Sequence, residues 1–146
     1  MAIKEHPAMI GALGAGAILD LLKRNENVAL LDPAQNNYEV MSRCRGIVSV
    51  NSKSGAEALL LGKRVFVLGD AFYRGSGLTT DVRTLGELQG LLRQALATPG
   101  PVDEARNAAF FSAVWRQSHL GELYVNDPGN LATFSTTLVA ITGGSR

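Results

Sequence analysis

The chain has 146 residues, 46% of them apolar, and its 14 basic and 13 acidic side chains give a formal net charge of +1. That length and apolar content suit a globular fold with a real core. The near-neutral balance argues against bulk electrostatic binding of nucleic acid. One cysteine, Cys44, excludes an internal disulfide and suits a reducing compartment. It reads as a nucleophile or as a small residue packed before a strand, and no activating partner can be named. No secretory signal opens the chain, since Glu5, His6 and Pro7 interrupt its start. No apolar run approaches the ~20 residues that a membrane span needs.

Residues 1–5 read as the tail of a strand that ends before Pro7. Residues 10–24 have helical spacing (Ile10, Leu13, Ile18, Leu21, Leu22), weakened by Gly11, Gly14 and Gly16. Residues 28–31 are a short buried strand closed by Asp32-Pro33. Residues 37–45 are expected as a helix with Tyr38, Met41 and Cys44 inward. A strand at 47–50, a helix at 55–61 and a strand at 65–68 make one βαβ unit. Residues 84–97 are helical, with Leu85, Leu88, Leu91, Leu92 and Leu96 on one face. A break at 98–101 precedes a second amphipathic helix at 103–118, whose Phe110, Phe111 and Trp115 are expected in the core. A turn or short strand at 121–126, a last helix at 128–141 and a frayed end complete the chain. The pairs Lys23-Arg24 and Lys63-Arg64 fall at helix ends, where cations complement the helix dipole.

Strands alternating with helices predict an α/β fold, a Rossmann-like parallel sheet covered on both faces. The division expected is a domain over 1–100 and a helical extension over 101–146 packing on it. The runs 2–5, 28–31, 47–50 and 65–68 are nearly all apolar, as a doubly covered sheet requires. Ligands of such sheets bind beyond the strand carboxyl ends. Those ends carry Glu5-His6-Pro7, Asp32-Pro33, Asn51-Ser52-Lys53-Ser54-Gly55 and Gly69-Asp70, so these polar groups are expected along one edge.

The turn before the 55–61 helix fits a phosphate, because unpaired N–H groups and the helix dipole point there. Ser52 and Ser54 read as N-caps or as phosphate ligands, since both roles use one geometry. Gly55 would let a ligand approach the backbone, or simply make a tight turn. Lys53 reads as a point charge for a phosphate or as a solvated side chain. Glu57 could reach a ribose hydroxyl, or is a first-turn acid favoured by the dipole. Asp70 and Tyr73, just past the last strand, could contact sugar or base, although Asp70 equally suits a turn cap. His119 reads as a surface histidine. No Cys/His/Asp/Glu cluster has metal-ligand spacing, and no Walker loop, Gly-x-Ser-x-Gly elbow or strand-linked Gly-x-Gly-x-x-Gly is present.

Lys4-Glu5-His6-Pro7, the run from Asn51-Ser52 through Gly55-x-Glu57-Ala58-Leu59-Leu60-Leu61-Gly62-Lys63, and Val65-x-Val67-x-Gly69-x-Ala71-Phe72-Tyr73 followed by Gly77-Leu78-Thr79 resemble the capsule polysaccharide biosynthesis family. The resemblance covers residues 3–97 and, more loosely, the aromatic helix and turn over 110–124. It implies the carboxyl lobe of a two-lobed GT-B glycosyltransferase, of the kind that moves Kdo from CMP-Kdo while a capsule's lipid-linked foot is built. By the same resemblance His6 donates a hydrogen bond to the donor phosphate or leaving group and is the catalytic candidate. Pro7, Asn51, Ser52, Lys53, Ser54, Gly55 and Glu57 complete the nucleotide site. Lys53 departs from the Ser or Thr usual at its place, which shifts the phosphate contact toward Ser54.

The substrates implied are a nucleotide-sugar donor and a lipid-linked or glycan acceptor, with no further cofactor and no metal. The expected setting is cytoplasmic or peripheral at the inner membrane. The amino lobe, with its acidic catalytic residue, is expected to be missing, so that activity would need a separate amino-terminal partner. Two other readings remain: one half of a UDP-sugar 2-epimerase, and an inactive fragment or assembly partner.

Overall fold

A computed structural model describes residues 1–6, 9–98, 102–122 and 125–143. The chain divides into two compact units, Met1–Val102 and Asp103–Arg146. The first is the α/β part. Its order is β1 (Ala2–Lys4), α1 (Ala15–Arg24), β2 (Ala29–Leu31), α2 (Asn37–Arg43), β3 (Gly46–Ser49), α3 (Lys53–Leu60), β4 (Arg64–Val67), β5 (Thr80–Asp81) and α4 (Leu85–Ala97).

All described strand pairs are parallel, so the fold is the Rossmann-like α/β fold that the alternation predicts. The sheet is small and comes in two pieces, which corrects the expectation of one continuous sheet. β1 pairs with β2, Ala2 opposite Ala29. β3 pairs with β4, Gly46 opposite Arg64, and β4 with β5, Phe66 opposite Thr80. Only β4 is covered on both faces: Val65, Phe66 and Val67 are all buried. Leu30 and Val48 are each 42% exposed, so β2 and β3 lack the double cover their apolar runs suggest. The thin cover over β1 and β2 follows from α1, which buries no side chain fully and starts only at Ala15. Gly11 and Gly14 precede that start, and glycine costs a helix interior about 1 kcal/mol relative to alanine.

The core is β4 with α3 packed against β3 and β4. α3 turns Gly55, Ala56, Ala58 and Leu59 inward; small residues let the helix sit close to the strands. Its end is a Schellman turn: Gly62 takes φ +66°, its N–H reaches Leu59 O at 2.9 Å, and Lys63 N–H reaches Ala58 O at 2.8 Å. Arg64 then donates from Nη1 to Ala95 O and from Nη2 to Thr98 O, each at 2.7 Å. That fork neutralises the carbonyl end of α4. α2 begins at an Asn36 cap, whose side chain accepts from Tyr38 N–H at 2.8 Å. It turns Met41 inward, leaves Cys44 half-buried, and leaves Tyr38 55% exposed instead of inward. On α4, Leu88, Leu91 and Leu92 are half-buried, whereas Leu85 and Leu96 are exposed.

The second unit holds α5 (Glu104–Gln117) and α6 (Pro128–Gly143). Asp103 caps α5 by accepting from Arg106 N–H at 2.9 Å, and Asp127 accepts from Asn130 N–H at 3.0 Å. Phe110 and Phe111 meet edge to face at 5.2 Å. Trp115, expected in the core, is 77% exposed. Of the turn expected over 121–126, Leu123 and Tyr124 lie outside the described residues.

The start of α4 supplies a pH-dependent element. The Glu87 carboxylate accepts from Thr84 N–H at 2.9 Å and from Arg83 N–H. These two bonds, Thr84's the larger, hold its carboxyl below the ordinary value of 4.5. A lowered folded pKa means that the contribution is present above the ordinary carboxylate range and lost as pH falls through the folded value. Glu87→Ala should therefore lower the urea midpoint at neutral pH, and the gap from the parent should narrow as the solution is acidified through the carboxylate range.

Candidate functional site

The site is built on the turn between β3 and α3. Ser49, the last residue of β3, is buried, and its Oγ accepts from Ser52 N–H at 3.3 Å. Ser52 is the N-cap of α3, its Oγ accepting from Ser54 N–H at 3.2 Å. The capping role that the sequence allows is therefore realised. Tyr73 reaches in from the segment after β4 and donates its hydroxyl to Ser52 O at 2.7 Å. A Cβ on Gly55 would collide with the Tyr73 Oη, so glycine is required there for close packing.

A cavity of about 1220 Å³ reaches this turn. Its walls come from β1 and the residues after it, from β3 and its turn, from α2, and from the start of β4. It brings together four of the residues singled out in the sequence: His6, Asn51, Ser52 and Ser54. His6, Asn51 and Ser52 are exposed and Ser54 is half-buried, so all four are open to a solvent-borne ligand. Four basic side chains, Lys4, Arg45, Lys63 and Arg64, line it against one acidic one, Glu5. Glu5 is already engaged, accepting from Gly11 N–H at 3.2 Å and Leu13 N–H at 3.3 Å. Of the four basic side chains, Lys4 stands at the carboxyl end of β1, whereas Arg45, Lys63 and Arg64 stand at the amino ends of β3 and β4, and Arg64 is engaged on the last carbonyls of α4. Lys63 donates from Nζ to Ser42 O at 2.5 Å.

Other candidates lie elsewhere. Asp32 and Asp70 do not line the cavity, although the carboxyl ends of β3 and β4 lie side by side, with Gly69 close against the Asn51 side chain. Asp32 forms a turn instead, accepting from Ala34 N–H at 2.8 Å. Lys53 is exposed and Glu57 half-buried, and neither is in the cavity wall. Gly55 is buried beneath Tyr73. Tyr73 itself has no exposed surface, so its ring is not placed at the open edge where a sugar contact was expected. Its neighbour Phe72, 59% exposed, packs against it edge to face at 5.1 Å. Pro7 lies outside the described residues.

Three contributions are not evident from sequence reasoning. Glu5 ties down the segment before α1. Lys63 and Arg64, read as helix-end cations, also line the cavity; their position directly before β4 was the available signal. Arg74 donates to Gly69 O at 2.9 Å and to Val82 O at 3.2 Å, pinning the segment that carries Tyr73. Among the described residues no group of three or more His, Cys, Asp and Glu side chains could hold a metal ion. No helix among them is long and apolar enough to cross a membrane.

Fold and cavity together define a small Rossmann-like α/β domain with a cavity that reaches the carboxyl ends of β1 and β3. The chain belongs to the capsule polysaccharide biosynthesis protein family, whose model matches residues 1–95. It is 37% identical over 97 residues to Protein FixF of Sinorhizobium fredii (strain NBRC 101917 / NGR234). That match covers 65% of this chain and 23% of FixF, so the chain spans under a quarter of that relative's length. No solved structure matches the chain.

Arg74→Met keeps the aliphatic stem and deletes the guanidinium. Hydrogen bonds to charged groups contribute about 1.5–3 kcal/mol, so urea unfolding of the variant should show a loss of that size.

Proposed function

We propose that Met1–Val102 is the donor-nucleotide lobe of a GT-B glycosyltransferase that takes a CMP-sugar, such as CMP-Kdo, in capsule polysaccharide assembly. The family membership supports a sugar substrate. The observation that carries the reading is the shared lining of one cavity by His6, Asn51, Ser52 and Ser54. Sugar transfer leaves negative charge on the departing phosphate. Donors already aimed at that charge stabilise it without reorganising. His6 donates a hydrogen bond to the phosphate; Ser54, Asn51 and the amino-terminal end of α3 complete its surroundings. Lys4, at the carboxyl end of β1, offsets part of the remaining anionic charge. Glu57 is assigned to the ribose and Asp70 to the sugar, both reached from the rim.

The acceptor in this reading is a lipid-linked or growing glycan at the cytoplasmic face of the inner membrane. It would be bound by an acceptor lobe with which this one works.

Calorimetric titration with CMP, with UMP as control, tests the reading. Saturable CMP binding is expected, weakened about tenfold or more in His6→Ala, since a charged hydrogen bond is lost. Folded protein that does not bind CMP would overturn it. A response to UMP alone would move the assignment to a UDP-sugar 2-epimerase half.

A further inference from the structure

We propose that Tyr73 is a positioning residue: its buried hydroxyl, closed in a ring with Ser49 and Ser52, fixes the turn that presents Ser52 and Ser54 to phosphate. This rests on the phosphate-binding reading above and assigns Tyr73 a role other than contact with the sugar.

Counting protons sets the direction of the ring. A phenol has one proton to donate. Tyr73 gives it to Ser52 O, at 2.7 Å. The 3.1 Å contact between Tyr73 Oη and Ser49 Oγ is then donated by the serine. Ser49 Oγ keeps its lone pairs for Ser52 N–H, at 3.3 Å. Both backbone polar groups of Ser52, N–H and C=O, are thus held by two buried side chains. The Ser52 hydroxyl is left to cap Ser54 N–H, and Ser54 faces the cavity. Such a ring strengthens each of its bonds by polarisation in a low-dielectric interior.

This exceeds what an ordinary helix start needs. One serine hydroxyl is a sufficient cap. Here a phenol is also buried, which is unfavourable unless its hydroxyl is bonded. Gly55 must stay without a side chain so that Tyr73 fits, although glycine is a poor helix former. Ser49 is polar at a buried strand position. Three local preferences are overridden to hold one turn, and such local conflicts concentrate at functional sites.

The test compares the parent, Tyr73→Phe and Ser49→Ala, each checked for folding by circular dichroism. Affinities for CMP and for cytidine are titrated, and amide hydrogen exchange is followed at Ser52, Ser54 and Gly55. The expected result is a CMP affinity lowered about tenfold with cytidine affinity unchanged, and faster exchange at the three amides. A merely structural loss would lower both affinities alike, and that outcome overturns the proposal. Unchanged exchange at the turn also overturns it. Absence of CMP binding by the parent would remove the donor reading alone, leaving the exchange rates to decide on Tyr73. If Tyr73→Phe does not fold, Ser49→Ala opens the same ring and carries the same outcomes.

Discussion

The parallel pairing of β3 with β4, with α3 packed across both, is the constraint on which the rest of the α/β unit depends. It buries Val65 and Val67 almost completely, along with Leu59 and Ala58 of the helix. Burying an aliphatic side chain of this kind contributes about 1.5–3 kcal/mol. Because the strands are parallel, their carboxyl ends fall on one side, and the helix that links them starts there. The turn before α3 is therefore a product of the core and not an addition to it. Arg74 and Tyr73 return from the far end of β4 to clamp the same place, so the segment after the strand stabilises the segment before the helix.

Charge around the cavity follows the same architecture. Lys63 and Arg64 stand between a helix end and a strand start, and each serves two roles. Arg64 satisfies the last carbonyls of α4 while standing in the cavity wall. Lys63 bridges to Ser42 O at the end of α2. The single acidic side chain of the wall, Glu5, is drawn off by the amides of Gly11 and Leu13. The other two basic side chains of the wall stand apart, Lys4 at the carboxyl end of β1 and Arg45 at the amino end of β3.

Much of this was legible in the sequence. β4 and α3 stand out because an apolar run and an Ala/Leu repeat are bounded by Gly62 and Gly69, and the residues there have no competing use. The strand-end rule pointed to the neighbourhood of His6 and Ser52–Ser54, the role of His6 rested mostly on the family resemblance, and the structure shows His6, Ser52 and Ser54 lining one cavity. β5 was not legible: two polar residues, Thr80 and Asp81, give no apolar period, and only the β4 ladder makes them a strand. The burial of Tyr73 was hidden because an aromatic in a glycine-rich segment looks like an exposed rim residue. Its partner, Ser49, lies 24 positions away in the chain. The separation of β1–β2 from β3–β5 was equally hidden, since edge pairing between distant strands is set by tertiary packing and not by local pattern.

We propose that the turn before α3 and the segment after β1 hold one nucleotide phosphate between them. Mapping amide shifts of nitrogen-15-labelled protein during a CMP titration tests it most directly. Saturable shifts clustered at His6, Asn51, Ser52 and Ser54 are expected. Shifts that saturate but fall only within 103–143, or at neither strand end, would contradict it.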